Sequence, residues 1–286
     1  RVVGRPQWRA EVRFHTRVAQ AMDDPPLVRC YDAAFDGVTG AAHLLFDDVS
    51  DTHDQTEHPL PPTKTVCKSV LDAFAEFHAF WWDHPALKDL PRFPTEASVT
   101  RYISSVRACF PRFATALGDR LSHDRRRTYD RVLSALPKLF ERQLLRPTPS
   151  EEATAGRSLT LIHGDANFWN VLLPREPSID RTLIIDWQLW GVSSAAEDLA
   201  NLIALYWYRD RRATIELDLL QRYYDGLLQN GVGDYTWETC WTDYRRAVVT
   251  RVLFMPMWIW SSGQPARVWW HGLECALQAC QDLECE

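Results

Sequence analysis

Apolar residues recur along this chain at two different periods, and the switches between them divide it into segments. From Gln7 to Ala21 the spacing puts Val12, His15, Val18 and Ala19 on or near one helical face. Asp23-Asp24-Pro25-Pro26 ends that helix, because proline cannot continue the hydrogen-bond ladder. Two strand-like runs follow, Leu27 to Ala34 and Ala42 to Phe46, separated by Asp36-Gly37-Val38-Thr39-Gly40, which has hairpin-turn chemistry. Val49 to Thr63 is polar and proline-rich and is expected to be a loop or linker, with His53 and His58 solvated in it. Beyond it Val66, Val70, Phe74, Phe77, His78 and Trp81 recur at helical spacing, and further helix is expected over 102–117 and 125–145. A polar connector from Pro147 to Gly156 precedes three short apolar runs, Leu159–His163, Val171–Leu173 and Leu183–Ile185, which predict strands around a loop-rich centre. From Glu197 onward the helical period returns. This order predicts an α+β protein whose chemistry sits in the central loops.

Composition narrows the classes of function. The 286 residues carry 32 basic and 38 acidic side chains, a formal charge of −6, which speaks against a phosphate-backbone binder. The basic run Arg125-Arg126-Arg127 is expected to be a solvated helix face. No stretch reaches the roughly 18 uninterrupted apolar residues of a membrane span, and Val252 to Trp260 is short and interrupted by Pro256. The sequence shows no signal-peptide pattern, and its seven cysteines include no CxxC pair. Reduced thiols and a cytoplasmic location are the expectation. Because the chain begins at Arg1 rather than Met, it is also expected not to begin at the natural start.

The chemistry-bearing segment runs from Leu161 through His163-Gly164-Asp165 to Asn170-Val171, and then, past a turn, to Leu183-Ile184-Ile185-Asp186-Trp187. Asp165 precedes Asn170 by five positions and Asp186 ends the next apolar run, so the flanking strands could bring all three side chains to one mouth. Two carboxylates and an amide oxygen suit Mg²⁺, a hard cation that takes few protein ligands and completes its shell with substrate phosphates.

His-Gly-Asp-x-x-x-x-Asn followed by Ile-Asp resembles the catalytic and metal-binding motifs of the aminoglycoside phosphotransferase and choline kinase-like families. These belong to the protein-kinase-like superfamily, where the corresponding loop reads H-R-D-x-x-x-x-N and the later acid opens D-F-G; Trp187 stands in place of that Phe. Glu197-Asp198-Leu199-Ala200 resembles the Asp-Leu-Ala that opens the next helix. Ala10-Glu11-Val12-Arg13-Phe14 resembles the helix carrying the glutamate of the lysine–glutamate ion pair. Leu44 to Ser50 resembles the strand leading into the nucleotide hinge.

The resemblance implies a bilobal protein-kinase-like fold, with a partial N-lobe over 1–49 and a mostly helical C-lobe over 50–286. It implies Mg²⁺-dependent transfer of the γ-phosphoryl group of ATP (or GTP) to a small-molecule hydroxyl. Asp165 would be the catalytic base, Asn170 and Asp186 the metal ligands, and Glu11 with the segment Asp47, Asp48 and Val49 the nucleotide-binding residues. His163 would brace the loop, and Asp198 would cap its helix or tie the loop down. The glycine-rich loop and the lysine strand of the family would precede Arg1; Val2-Val3-Gly4-Arg5 is too short to supply them.

Two rival readings stay open. His163 and Asp165 are alternate residues leaving a strand and could face one metal in a hydrolase. A pseudokinase would share the fold and bind a small molecule or partner without phosphotransfer. The acceptor pocket of such kinases is built by C-terminal helices, which are rich here in Trp and Tyr from Tyr206 to Trp270. The stretch 248–271 has no Asp or Glu. Most of these rings are expected in the core, and a neutral or partly apolar acceptor, or a quaternary ammonium held by cation–π contacts, suits such a lining better than a polyamine.

Overall fold

The structure, a computed structural model, describes residues 6–57, 60–90, 95–144 and 158–284. Val2-Val3-Gly4-Arg5, His58, the connector Pro147–Gly156 and Cys285 lie outside the described residues. The first helix is α1 (Pro6–Arg13), continued by a π-turn over Phe14–Val18 and a 3₁₀ turn over Ala19–Ala21. The wider turn keeps Phe14, His15 and Val18 all buried, so Phe14 joins the face read from the sequence. β1 (Cys30–Phe35) and β2 (Ala42–Phe46) form the expected antiparallel hairpin. Its turn is closed by Asp36, whose Oδ1 accepts from the Val38 N–H at 2.8 Å, and by Gly40 at φ 73°. The strand begins later than the pattern predicts: Leu27 makes an isolated parallel bridge to Ile184 instead.

The expected linker over 49–63 is not all loop. It contains β3 (His53–Gln55), antiparallel to β5 (Val171–Pro174), which also pairs with β6 (Leu183–Ile184). His53 is therefore buried rather than solvated, with Nε2 2.9 Å from the Arg181 carbonyl. A strand of three polar residues has too short an alternation to be read from sequence. A second pair, β4 (Thr160–Ile162) with β7 (Gly191–Ser193), flanks the central loop on its other side.

The remainder is helical. Thr63 caps α2 (Lys64–Phe80) by accepting from the Val66 N–H, and the helix buries Val70, Phe74, Phe77 and His78 as its period predicts. A Thr95/Ser98 capping box opens α3 (Glu96–Leu117), which packs on α4 (His123–Leu144). α5 (Ala196–Ala204) follows β7 and is buried along nearly its whole length. α6 (Arg209–Gln229) packs along α2, and α7 (Trp237–Thr250), α8 (Met255–Ser261) and α9 (Ala266–Asp282) close the helical lobe.

One apolar cluster runs through all of it. Trp207 and Trp269 are buried in this cluster, while Tyr206, Trp237, Trp241, Trp258, Trp260 and Trp270 pack partly buried against it; Tyr208 is exposed. Of the basic run, Arg126 and Arg127 are exposed, whereas Arg125 bridges to Glu274 on α9 instead of facing solvent. Among the described residues no helix is long and apolar enough to cross a membrane.

The contact of α2 with α6 is close enough to exclude a side chain at Gly226, where a Cβ would stand 2.9 Å from the Ala75 Cβ. Gly226→Val should therefore destabilise the protein by about 1–3 kcal/mol, the usual cost of overpacking. Urea unfolding followed by tryptophan fluorescence reads this directly, and a variant as stable as wild type would refute the tight contact.

Candidate active site

The loop between β4 and β5 is shaped by one buried anion. The Asp198 carboxylate on α5 is fully buried and accepts the backbone N–H of His163 at 2.6 Å and of Gly164 at 2.9 Å. His78 on α2 approaches it at 3.3 Å through Nε2, while its Nδ1 lies 2.8 Å from the Tyr223 hydroxyl of α6. Burial alone would raise the Asp198 pKa. The His78 imidazole and the Gly164 N–H outweigh it and hold the carboxyl below its ordinary range. Of the two roles open to Asp198, its bonds are those of a tie on the loop rather than of a cap on its own helix.

Gly164 has to be glycine. Its φ is 80°, and a Cβ would lie 2.2 Å from the Leu189 carbonyl oxygen. His163 is buried with both ring nitrogens engaged: Nδ1 accepts from the Asp165 N–H at 3.2 Å and Nε2 donates to the Ile185 carbonyl at 2.8 Å. This arrangement is satisfied by the neutral ring protonated on Nε2, so neither nitrogen is left to bind a metal in the way the hydrolase reading needs. The side-chain amides of Asn167 and Asn170 both donate to the Asp165 carbonyl, each at 3.0 Å. Asn167 Oδ1 accepts from the N–H groups of Trp169 and Asn170, closing the turn.

With its nitrogen committed, Asn170 has its amide oxygen to offer. Beside it, Ile185 N–H donates to the Asn170 carbonyl at 3.0 Å, and the next residue, Asp186, adopts a left-handed conformation at φ 64° and ψ 64°. Such backbone at a non-glycine residue costs of order 1–3 kcal/mol and persists where the surroundings impose it. Burial, reinforced by the charge of Asp186, pushes the Asp165 carboxyl above its ordinary pKa.

Glu11 is raised in the same way, by burial first and Asp186 second, while the Trp187 N–H and the Gln188 side chain donate to it. Asp165 and Glu11 thus each lie within electrostatic reach of Asp186. Among the described residues no three His, Cys, Asp or Glu side chains form a self-contained metal site. The donor set instead fits a hard cation that would take Asn170 and Asp186 as protein ligands and complete its shell with phosphate oxygens, relieving the carboxylate repulsion.

Among the described residues, no side-chain bond draws the other sequence-derived site residues into this cluster. Asp47 N–H donates to the Arg29 carbonyl, and the Val49 carbonyl accepts from Thr52 and His53. Asp48 is exposed, and its carboxylate is held below its ordinary pKa by the hydroxyl and N–H of Ser50. Among the described residues, the Asp47 carbonyl and Val49 N–H make no backbone hydrogen bond. A cavity of about 300 Å³ opens against Gly164 and is walled by Val99, Phe140, Leu189 and Val192, with Glu197 and Arg251 beside the loop. Neither Arg251 nor this cavity carried a sequence signal, because its walls come from segments far apart in the chain.

A mostly helical lobe carrying this loop defines the protein-kinase-like class. The choline/ethanolamine kinase family protein from Mesorhizobium loti superimposes with a TM-score of 0.56 at 14% identity, over 99% of this chain and 79% of its own. Choline kinase from Streptococcus pneumoniae gives 0.52 at 12% identity, over 100% of this chain and 82% of its own. At these identities the likeness is one of fold. Residues 19–231 match the family model of the ecdysteroid kinase-like family, and the chain belongs to that family. The resemblance read from the motifs is borne out at the level of the superfamily. No curated protein matches the chain.

Asp198→Asn puts an amide N–H₂ against backbone donors. It should cost about 3 kcal/mol or more at neutral pH, as loss of a buried charged partner does. Because the folded pKa of Asp198 is depressed, its contribution is fully present above the unfolded value of about 3.9 and is lost as pH falls through the folded one. The stability gap between wild type and Asp198→Asn should therefore be smaller in acid, below the unfolded value, than at neutral pH. Denaturant unfolding at both pH values checks it; a gap that widens in acid would contradict the assignment.

Proposed function

We propose that this protein transfers the γ-phosphoryl group of ATP (or GTP) to a hydroxyl of a small molecule, with Mg²⁺. The observation that carries the proposal is the buried Asp165 carboxyl on a loop fixed from both sides, with the Asn170 amide bonded to the Asp165 carbonyl and Asp186 within electrostatic reach. Asp165 orients the acceptor hydroxyl and takes its proton as the oxygen bonds to phosphorus and the bond to the departing nucleoside diphosphate breaks. Asn170 and Asp186 are the residues that would hold Mg²⁺, which supplies charge neutralisation on the phosphates. Glu11 is the anion of the lysine–glutamate pair that the resemblance implies, and the Asp47 carbonyl and Val49 N–H would meet the base across the hinge. The lobe boundary lies near Val49 on this reading, since β3, immediately beyond it, belongs to the sheet of the central loop.

The acceptor is proposed to occupy the cavity against Gly164. Among the described residues its walls are largely apolar and the one cation, Arg251, faces Glu197, so the lining suits a neutral or partly apolar alcohol better than a polyamine. The family takes its name from ecdysteroids, which are neutral and hydroxylated, and that accords with this lining. Neither nucleic acid nor membrane enters the proposal, and a cytoplasmic location is part of it.

Melting the protein with and without MgATP tests the site. A ligand near a hundred times its dissociation constant adds about 2.7 kcal/mol, a readable shift for a protein of this size. The shift should be lost in Asp186→Ala and kept in Asp165→Ala, while phosphoryl transfer should nearly vanish in Asp165→Ala. Equal turnover in Asp165→Ala and wild type would overturn the mechanism, and MgATP binding without any ADP formation by wild type would favour the pseudokinase reading.

A further inference from the structure

Arg251 stands where α7 gives way to the 3₁₀ turn Val252–Phe254, with φ −120° and ψ −62° outside the helical range. Its backbone is held by two other helices. The Tyr102 hydroxyl of α3 donates to the Thr250 carbonyl at 2.5 Å, and the Tyr129 hydroxyl of α4 donates to the Leu253 carbonyl at 2.9 Å. From this fixed point the guanidinium reaches the central loop, where one Nη donates to the Gly164 carbonyl and the other lies 3.6 Å from Glu197 Oε2. Glu197 is itself oriented by the Ser193 hydroxyl.

The Gly164 carbonyl belongs to the peptide unit whose other end is the Asp165 N–H, and that N–H donates to His163 Nδ1. Both ends of the Gly164–Asp165 peptide plane are thus held, one by an imidazole and one by a charge-assisted bond from a residue 87 positions away. A glycine at φ 80° has no Cβ to resist rotation of the adjoining peptide, so the plane needs an external clamp. Rotation of that plane would swing the Asp165 side chain.

We propose that Arg251 is a positioning residue, which aims the Asp165 carboxylate by holding the Gly164–Asp165 peptide plane. The inference rests on the phosphotransfer reading above. Its reach is geometric: a misplacement of about 1 Å at the reacting groups can cost on the order of 100-fold in rate.

Mg²⁺-dependent ADP release with water as acceptor, measured on the full chain, needs no knowledge of the natural acceptor. Arg251→Met should lower kcat about tenfold or more while leaving KM for MgATP within about twofold and the MgATP melting shift in place. Arg251→Lys, which keeps the charge and one donor but not the planar fork, should recover part of kcat. Should Arg251→Met fail to fold, Arg251→Lys still reads the split between kcat and KM against wild type. An unchanged kcat, or a loss that appears in KM for MgATP, overturns the proposal while the phosphotransfer reading stands. Failure of wild type to bind MgATP or to release ADP overturns both.

Discussion

The loop between β4 and β5 depends on a single buried carboxylate. An anion without solvent is unfavourable unless donors surround it, and Asp198 meets that requirement with two successive backbone N–H groups and an imidazole. Satisfying the charge and shaping the loop are therefore the same event. Because the donors are the N–H groups of His163 and Gly164, the chain leaving β4 must turn over α5 before it can do anything else. Because the imidazole is His78, and His78 is bonded to Tyr223, the same anion ties α2 and α6 to the loop.

Around that anchor the fold tolerates local costs that a purely structural domain would avoid. Gly164 and Asp186 both hold left-handed backbone, and Asp165 and Glu11 are carboxyls raised above their ordinary pKa by burial and by Asp186. Strain and like charge gathered at one place, and offset by a well-packed surrounding core, are what an electrostatic site requires. A cation or a phosphate-bound cation entering there would remove the repulsion instead of adding to it.

The first helix is joined to this centre by rings. Phe14 stacks on Trp187 at 4.1 Å between centroids and 6° between planes, and Trp187 lies 4.8 Å from His163. The Trp190 indole N–H also donates to the Ala10 carbonyl on α1 at 2.8 Å. Glu11 reaches the neighbourhood of Asp186 because its helix is docked through the Phe14 and Trp190 contacts, and the π-turn at Phe14 lets Phe14, His15 and Val18 turn inward together.

The sequence by itself determined what is local. The helical period of α2, the turn chemistry at Asp36–Gly40, the apolar runs flanking the loop and the spacing of Asp165, Asn170 and Asp186 are properties of residues near one another in the chain, and each is legible as such. Tertiary structure alone decided the rest. β3 has three residues and no pattern of its own; it is a strand because β5 offers it a ladder. His53 reads as a solvated loop residue until that pairing buries it. Asp198 could cap a helix or tie a loop on sequence grounds, and the folded chain brings the His163 and Gly164 N–H groups to it. Arg251 carries no signal at all, because the hydrogen bond that ties it to the loop goes to a backbone carbonyl, which every residue possesses. Sequence patterns encode burial and local backbone preference, whereas a bond between a distant side chain and a peptide group comes into being only when the core has packed.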